Sequence, residues 1–291
     1  MADRTILIAV DAGASTLDAV RLGELLARVS GLPAALATAF PHVLLGGEAE
    51  AEMREEARQT LLELGGTMEG VNVVDARVVE GHSPARALHD LSEDEHAALI
   101  VIGSTHRGAI GRVVPGTVAE RLLTGAACPV AVAPAGYAET DAPPKLELVG
   151  VAFDSSEESR LGLDGAAALA RAAGARLRVI TVHQRIAFGA LASPGGVSLE
   201  SVNERLEREL SGQLDEAVAA LGDGVEGVFV TGDAAEVLAS QSEELDLLVA
   251  GSRGYGPLGA VLLGGTTHRL LNAAACPLIV VPRGRPLHLA A

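Results

Sequence analysis

The sequence predicts an α/β fold made of two tandem doubly wound domains. Each is a five-stranded parallel sheet with helices on both faces. Three observations lead there. The stretch Gly103-Ser-Thr-His-Arg-Gly-Ala-Ile-Gly-Arg-Val-Val-Pro-Gly-Thr117 recurs as Gly251-Ser-Arg-Gly-Tyr-Gly-Pro-Leu-Gly-Ala-Val-Leu-Leu-Gly-Gly265, and each copy continues through Arg-Leu-Leu into Ala-Ala-Cys-Pro and a final apolar run. The offset is constant from Gly103/Gly251 through Cys128/Cys276 to Pro134/Pro282, and about half the positions are identical, the mark of a duplicated unit. Within each half, short apolar runs alternate with longer amphipathic stretches, which is the pattern of a covered parallel sheet. Finally, 48% of the 291 residues are hydrophobic but only 2% are aromatic, so the cores are built from Ala, Val, Leu and Ile.

The elements follow in order. Thr5–Val10 is a continuous apolar run and reads as a buried strand with Asp11 at its carboxyl end. A helix with the stripe Leu17, Val20, Leu25, Leu26 and Val29 ends at Gly31. The second half repeats this with Leu148–Phe153 and Asp154, then Ser155-x-x-Glu158, read as a capping box, and a helix to about Gly174. Second strands are expected at Ala34–Phe40 and Leu177–His183, and charged helices at Glu48–Leu64 and Leu199–Leu221. Third strands fall at Val73–Val79 and Val225–Thr231. Short helices start at Pro84, suited to a first helical position, and at Ala234. Fourth strands are Ala98–Ile102 and Leu245–Ala250, and fifth strands are Val130–Ala133 and Leu278–Val281. Pro143-Pro144 interrupts the pattern, which divides the chain into 1–138, a linker 139–145 and 146–291. The last strands are apolar edges through which the halves are expected to pack, with whole chains dimerising further.

The net charge of −16 argues against nucleic acid and anionic membranes as partners. Met-Ala-Asp-Arg-Thr leads straight into a strand without a signal peptide, and no apolar run approaches the ~18 residues of a membrane span, so a cytoplasmic protein is expected. Cys128 and Cys276 occupy equivalent places and read as buried apolar thiols.

In doubly wound sheets ligands bind outside the carboxyl ends of the strands, where the winding reverses. Asp11 and Asp154 would lie at one such end and Gly103 and Gly251 at another, facing one crevice per half if strands 1 and 4 are neighbours. Two readings stand for each. The glycines let backbone approach a ligand, or only make a tight strand–helix connection; the acids accept from a ligand, or only cap a helix. Gly116-Thr117 and Gly264-Gly265 open helices whose free N–H groups favour phosphate.

At these residues the chain resembles the universal stress protein family, in its tandem two-domain form, over essentially its whole length. The resemblance implies an adenine nucleotide α-hydrolase-like, Rossmann-like fold that binds ATP through Gly-x2-Gly-x9-Gly-(Ser/Thr) after strand 4 and an Asp after strand 1. The first half supplies Gly103, His106 in place of a glycine, Gly116 and Thr117, with Val118 next. The second supplies Gly251, Gly254 and Gly264, with Gly265 in place of the hydroxyl residue and Thr266 or Thr267 as a substitute. The resemblance further places Ala39 and Val182, then Ile102 and Ala250, around the base. His106 puts bulk where backbone should approach, whereas Gly265 removes one neutral hydrogen bond, worth about 1 kcal/mol. The second half is therefore expected to be the more permissive site.

What the resemblance implies is an ATP-binding stress-response regulator, with Mg2+ as a companion ion and an unknown regulatory protein as partner. It would act through ligand-dependent stabilisation or partner control. The alternatives are a nucleotide-free interaction scaffold with degenerate motifs and a slow ATP-hydrolysing enzyme, since no general base and no metal-carboxylate cluster is evident. Gly254-x-Gly256-x-x-Gly259 matches the dinucleotide fingerprint, but no βα unit and acid follow it. There is no Gly-x4-Gly-Lys-(Ser/Thr). Among the histidines, His82 and His183 lie at strand ends that border the crevices.

Overall fold

The computed structural model describes residues 4–11, 13, 15–41, 48–104, 113, 117–139, 145–186, 198–252 and 264–289. In the first half the order is β1 (Ile6–Ala9), α1 (Ser15–Ser30), β2 (Ala34–Pro41), α2 (Glu48–Gly66), β3 (Val73–Gly81), α3 (Pro84–Asp94), β4 (Leu99–Gly103), α4 (Thr117–Leu123) and β5 (Val130–Ala133). A 3-10 turn, Tyr137–Glu139, follows. The second half repeats the series as β6 (Leu148–Ala152), α5 (Glu157–Ala173), β7 (Arg176–His183), α6 (Leu199–Leu221), β8 (Val225–Thr231), α7 (Ala234–Gln241), β9 (Leu247–Gly251), α8 (Gly265–Leu271) and β10 (Leu278–Val281).

The strand order is β3-β2-β1-β4-β5-β10-β9-β6-β7-β8 in one ten-stranded sheet. Within each half the pairs are parallel, and β1 lies between β2 and β4 just as β6 lies between β7 and β9. The winding therefore reverses at β1/β4 and β6/β9, which makes those the switch points. The halves meet through β5 and β10, which pair antiparallel with Leu278 opposite Val132 and Val280 opposite Val130. An antiparallel join reverses the second half relative to the first, so the carboxyl ends of the two sets of parallel strands point to opposite edges of the sheet.

Alternation along the strands feeds two cores. One face buries Ile6, Ile8, Val149 and Val151 under α1, α2, α5 and α6; the other buries Ile100, Val130, Leu248 and Leu278 under α3, α4, α7 and α8. Both cores run continuously through the two halves. α1 and α5 pack against each other across the join.

Local chemistry sets the helix ends. Ser83 caps α3 by accepting from the Arg86 amide, with Pro84 behind it, and Asp233 caps α7 by accepting from the Ala235 and Glu236 amides. The α5 cap differs from the expected box. Ser156, not Ser155, accepts from the Ser159 amide at 3.2 Å, and Ser155 takes φ +63° just outside the helix. With Ser156 as the cap, the third helical position falls on Ser159 and not on Glu158, so the expected box does not form. Gly174 closes α5 at φ +66°, as expected for a left-handed C-terminal glycine.

Candidate functional site

Each half builds its switch point from the same parts. In the second, β6 ends at Ala152 and leads to Asp154, β9 ends at Gly251, and α8 starts at Gly265 beneath them. Between them lies a crevice of about 630 Å3. Its apolar wall carries Ala152, Ile180, Val182, Leu238 and Ala250; its polar rim carries Asp154, Ser156, Gln184, Gly264, Gly265 and Thr266. Of the residues expected in this half, Asp154, Val182, Ala250, Gly251, Gly264, Gly265 and Thr266 all come together here. Gly254 lies outside the described residues.

Alternation along β9 gives its last two residues different tasks. Ala250 faces the crevice. A Cβ on Gly251 would point the other way, 2.9 Å from the Glu158 Cβ and 3.3 Å from the Ser159 amide nitrogen. Gly251 thus has no side chain because the first turn of α5 crosses there. Of the two readings of this glycine, the tight strand–helix packing is the one this contact supports, and its backbone also borders the crevice. Gly103 is stricter still, since its Cβ would coincide with the Ser15 carbonyl in α1.

The start of α8 is fixed by Thr267. Its buried hydroxyl donates to the Gly251 carbonyl at 3.0 Å, stitching the helix to the strand end. Thr266 stays exposed at the crevice, so it is the hydroxyl on hand where the motif has Gly265. Gly264 caps α8 with no side-chain bond, which leaves the first-turn N–H groups to be satisfied by other acceptors.

The two acids are held differently. Asp154 Oδ1 accepts from the Ser156 amide at 3.0 Å, a short Asx turn at the crevice rim. Asp11 meets the start of α1: its carboxylate accepts from the Gly13 amide at 2.8 Å and from the Ser15 hydroxyl at 3.0 Å, and its backbone carbonyl accepts from the Thr16 hydroxyl at 2.6 Å, which ties the strand end to the first turn of the helix. In the first half Ala39 is half-buried on β2, Ile102 is buried at the end of β4, Gly103 closes that strand, and Thr117 and Val118 begin α4. His106 and Gly116 lie outside the described residues, as do Gly256 and Gly259 of the fingerprint match.

Sequence reasoning missed Ile180, Leu238, Ser156 and Gln184. Ile180 was within reach, being two residues before Val182 on the same face of a strand. Leu238 comes from a neighbouring helix, and no spacing rule announces it. His183 does not enter the crevice. It faces away from Val182, buried, with its ring 6.4 Å from that of Phe229. Burial pushes the Cys276 thiol well above the ordinary range, and Cys128 likewise up to about 12, so both are neutral packing groups.

Fold and site together define a tandem doubly wound α/β protein with a crevice at a switch point. The universal stress protein family model matches residues 3–134 and 146–282, once in each half. The chain belongs to the universal stress protein family. A universal stress protein of Mycobacterium tuberculosis is 31% identical over 199 residues, and the chain spans 65% of that relative's length and aligns over 68% of its own. One from Thermus aquaticus is 32% identical over 134 residues, covering 45% of this chain and 95% of the relative. Among solved structures, a putative universal stress protein from Pseudomonas aeruginosa superposes with a TM-score of 0.66 at 20% identity, covering 99% of this chain and 95% of that one. A universal stress protein from Archaeoglobus fulgidus does so with 0.66 at 21% identity, covering 97% of each. Among the described residues no helix is long and apolar enough to cross a membrane.

Proposed function

We propose that the chain binds an adenine nucleotide, ATP in the first instance, in the second-half crevice, and that occupancy regulates a stress response in the cytoplasm. The observation that carries this reading is the crevice itself. Its volume of about 630 Å3 falls within the ~300–1,000 Å3 of small-molecule sites. One wall is aliphatic and suits a base. Asp154 stands at the rim, where a carboxylate accepts from a ribose hydroxyl or an amino group. Uncapped backbone N–H groups at Gly265 and Thr266 suit phosphate. The only cluster of potential metal ligands among the described residues is His89, Asp90 and Glu93 on α3, away from the crevice, so Mg2+ enters with the phosphates rather than as a protein-held ion.

The first-half site is the weaker one in this reading, because His106 stands where the motif has a glycine. Binding to the folded state alone stabilises it by about 2.7 kcal/mol at a hundredfold excess of ligand over Kd, enough to act as a signal without fast catalysis. The division into 1–138, 139–145 and 146–291, a homodimer and a regulatory protein partner belong to the same proposal.

Calorimetric titration with ATP, with and without Mg2+, tests it. One strong site per chain is expected. Asp154→Asn weakens it about tenfold, the loss of one charged hydrogen bond, and Ala250→Phe abolishes it. Absence of binding, or equal losses from Ile102→Phe and Ala250→Phe, overturns the assignment. Steady ATP turnover near 1 s−1 would overturn the non-enzymatic reading.

A further inference from the structure

The antiparallel join delivers the tail after β10 to the amino-terminal edge of the first half, the edge opposite that half's switch point. There it borders a second cleft of about 470 Å3, lined by Arg4, Glu93, His96, Cys128, Arg285 and His288 among others. On a chain of net charge −16, two arginines and two histidines border this one cleft. Glu93 is the one acid among the described lining residues, 3.9 Å from Arg285. Arg4 forms no ion pair among the described residues. It lies close enough to His288 to disfavour that imidazole's protonation, after the effect of burial.

The duplication supplies an internal comparison. The repeat aligns Arg4 with Glu147, His96 with Glu244, Ala98 with Asp246 and Arg285 with Tyr137. At the second half's amino edge each of these groups is already satisfied. Asp246 accepts from the amides of Glu147 and Leu148 at 2.7 and 2.8 Å, Glu244 pairs with Arg178 at 2.8 Å, Glu147 pairs with Lys145, and Tyr137 is half-buried. At the first half's edge the acids are replaced by an arginine, a histidine and an alanine, the ring by an exposed guanidinium, and an open cleft remains. Two arginines facing one cleft with a single acid between them leave a net positive charge that an anion would offset.

We infer that the cleft between the carboxyl-terminal tail and the amino edge of the first half binds a small polyanion carrying phosphate or carboxylate groups. Arg4 and Arg285 are its principal contacts, and planar guanidinium forks suit either head group. Cys128 contributes a neutral wall. Glu93 competes with the ligand for Arg285. This site is separate from the nucleotide crevice, and the inference does not rest on that reading.

The test is calorimetric titration of the full chain at low ionic strength with inorganic pyrophosphate and, separately, with citrate. Pyrophosphate is also run in the Ala250→Phe background, which removes the crevice as a competing phosphate site. Binding that falls at least tenfold in the Arg4→Ala/Arg285→Ala double variant, and rises several-fold in Glu93→Gln, supports the assignment. The probe that binds tells phosphate from carboxylate. Arg86→Ala removes the same kind of charge from exposed α3 outside the cleft and is expected to leave binding unchanged. Silence of both probes on the wild-type chain overturns the inference, as does an equal loss with Arg86→Ala or binding that vanishes with Ala250→Phe alone. The substituted arginines are exposed, and an unchanged melting temperature separates lost binding from lost fold.

Discussion

Ser155 sits between the acid of the crevice and the cap of α5, and its φ of +63° is a conformation that favours glycine. The Asx turn from Asp154 to the Ser156 amide and the Ser156 cap hold it there. Glycine at this place relieves the crowding of Cβ but adds freedom to the unfolded chain, and the first effect is the larger. Ser155→Gly is expected to raise stability by about 0.5 kcal/mol in urea denaturation. A decrease would show that the hydroxyl contributes more than the turn costs. The sequence-based reading placed the cap one residue too early because Ser155 and Ser156 are equally good capping residues. Only the turn decides which hydroxyl faces the helix. The assembly was legible in two ways: the strand-end rule places Asp154 and Gly264, and the family resemblance places Val182 and Ala250. The reason for Gly251 was not, because a glycine demanded by a crossing helix and one demanded by a ligand look alike in sequence.

At the level of elements, the contact between the end of β4 and the start of α1 is the tightest in the switch point. A methyl group on Gly103 would occupy the space of a backbone carbonyl, which cannot move as a flexible side chain could. Gly103→Ala is therefore expected to destabilise the chain by about 3 kcal/mol, and Gly251→Ala, whose Cβ would come no closer than 2.9 Å to its neighbours against 2.1 Å at Gly103, by less. Chemical denaturation of the two variants checks the order, and equal midpoints would refute it. The strands and helices were largely legible from apolar runs and helix caps. Their neighbours were less so. β1 beside β4 was an inference from the fold class, and nothing in the periodicity of β5 or β10 states which strand either will meet or in which direction.

For the whole molecule, the sheet and both cores pass through the join without a break. α1 of the first half packs on α5 of the second across the join. Neither half can lose its packing without exposing the other's. A single calorimetric unfolding transition, with calorimetric and van't Hoff enthalpies in agreement, is expected. Two resolved transitions would show that the halves unfold as separate units.

The β5–β10 pairing has one more consequence. A strand edge that two separate chains could share only by meeting in solution is here satisfied within one polypeptide. The tether replaces dilution-sensitive association with a fixed local concentration. It also releases the halves from sameness. Two identical subunits related by a twofold axis present every surface twice. Two covalently joined copies need not, and here one end gathers arginines where its counterpart holds acids with partners. Fusion has given a symmetric architecture a front and a back.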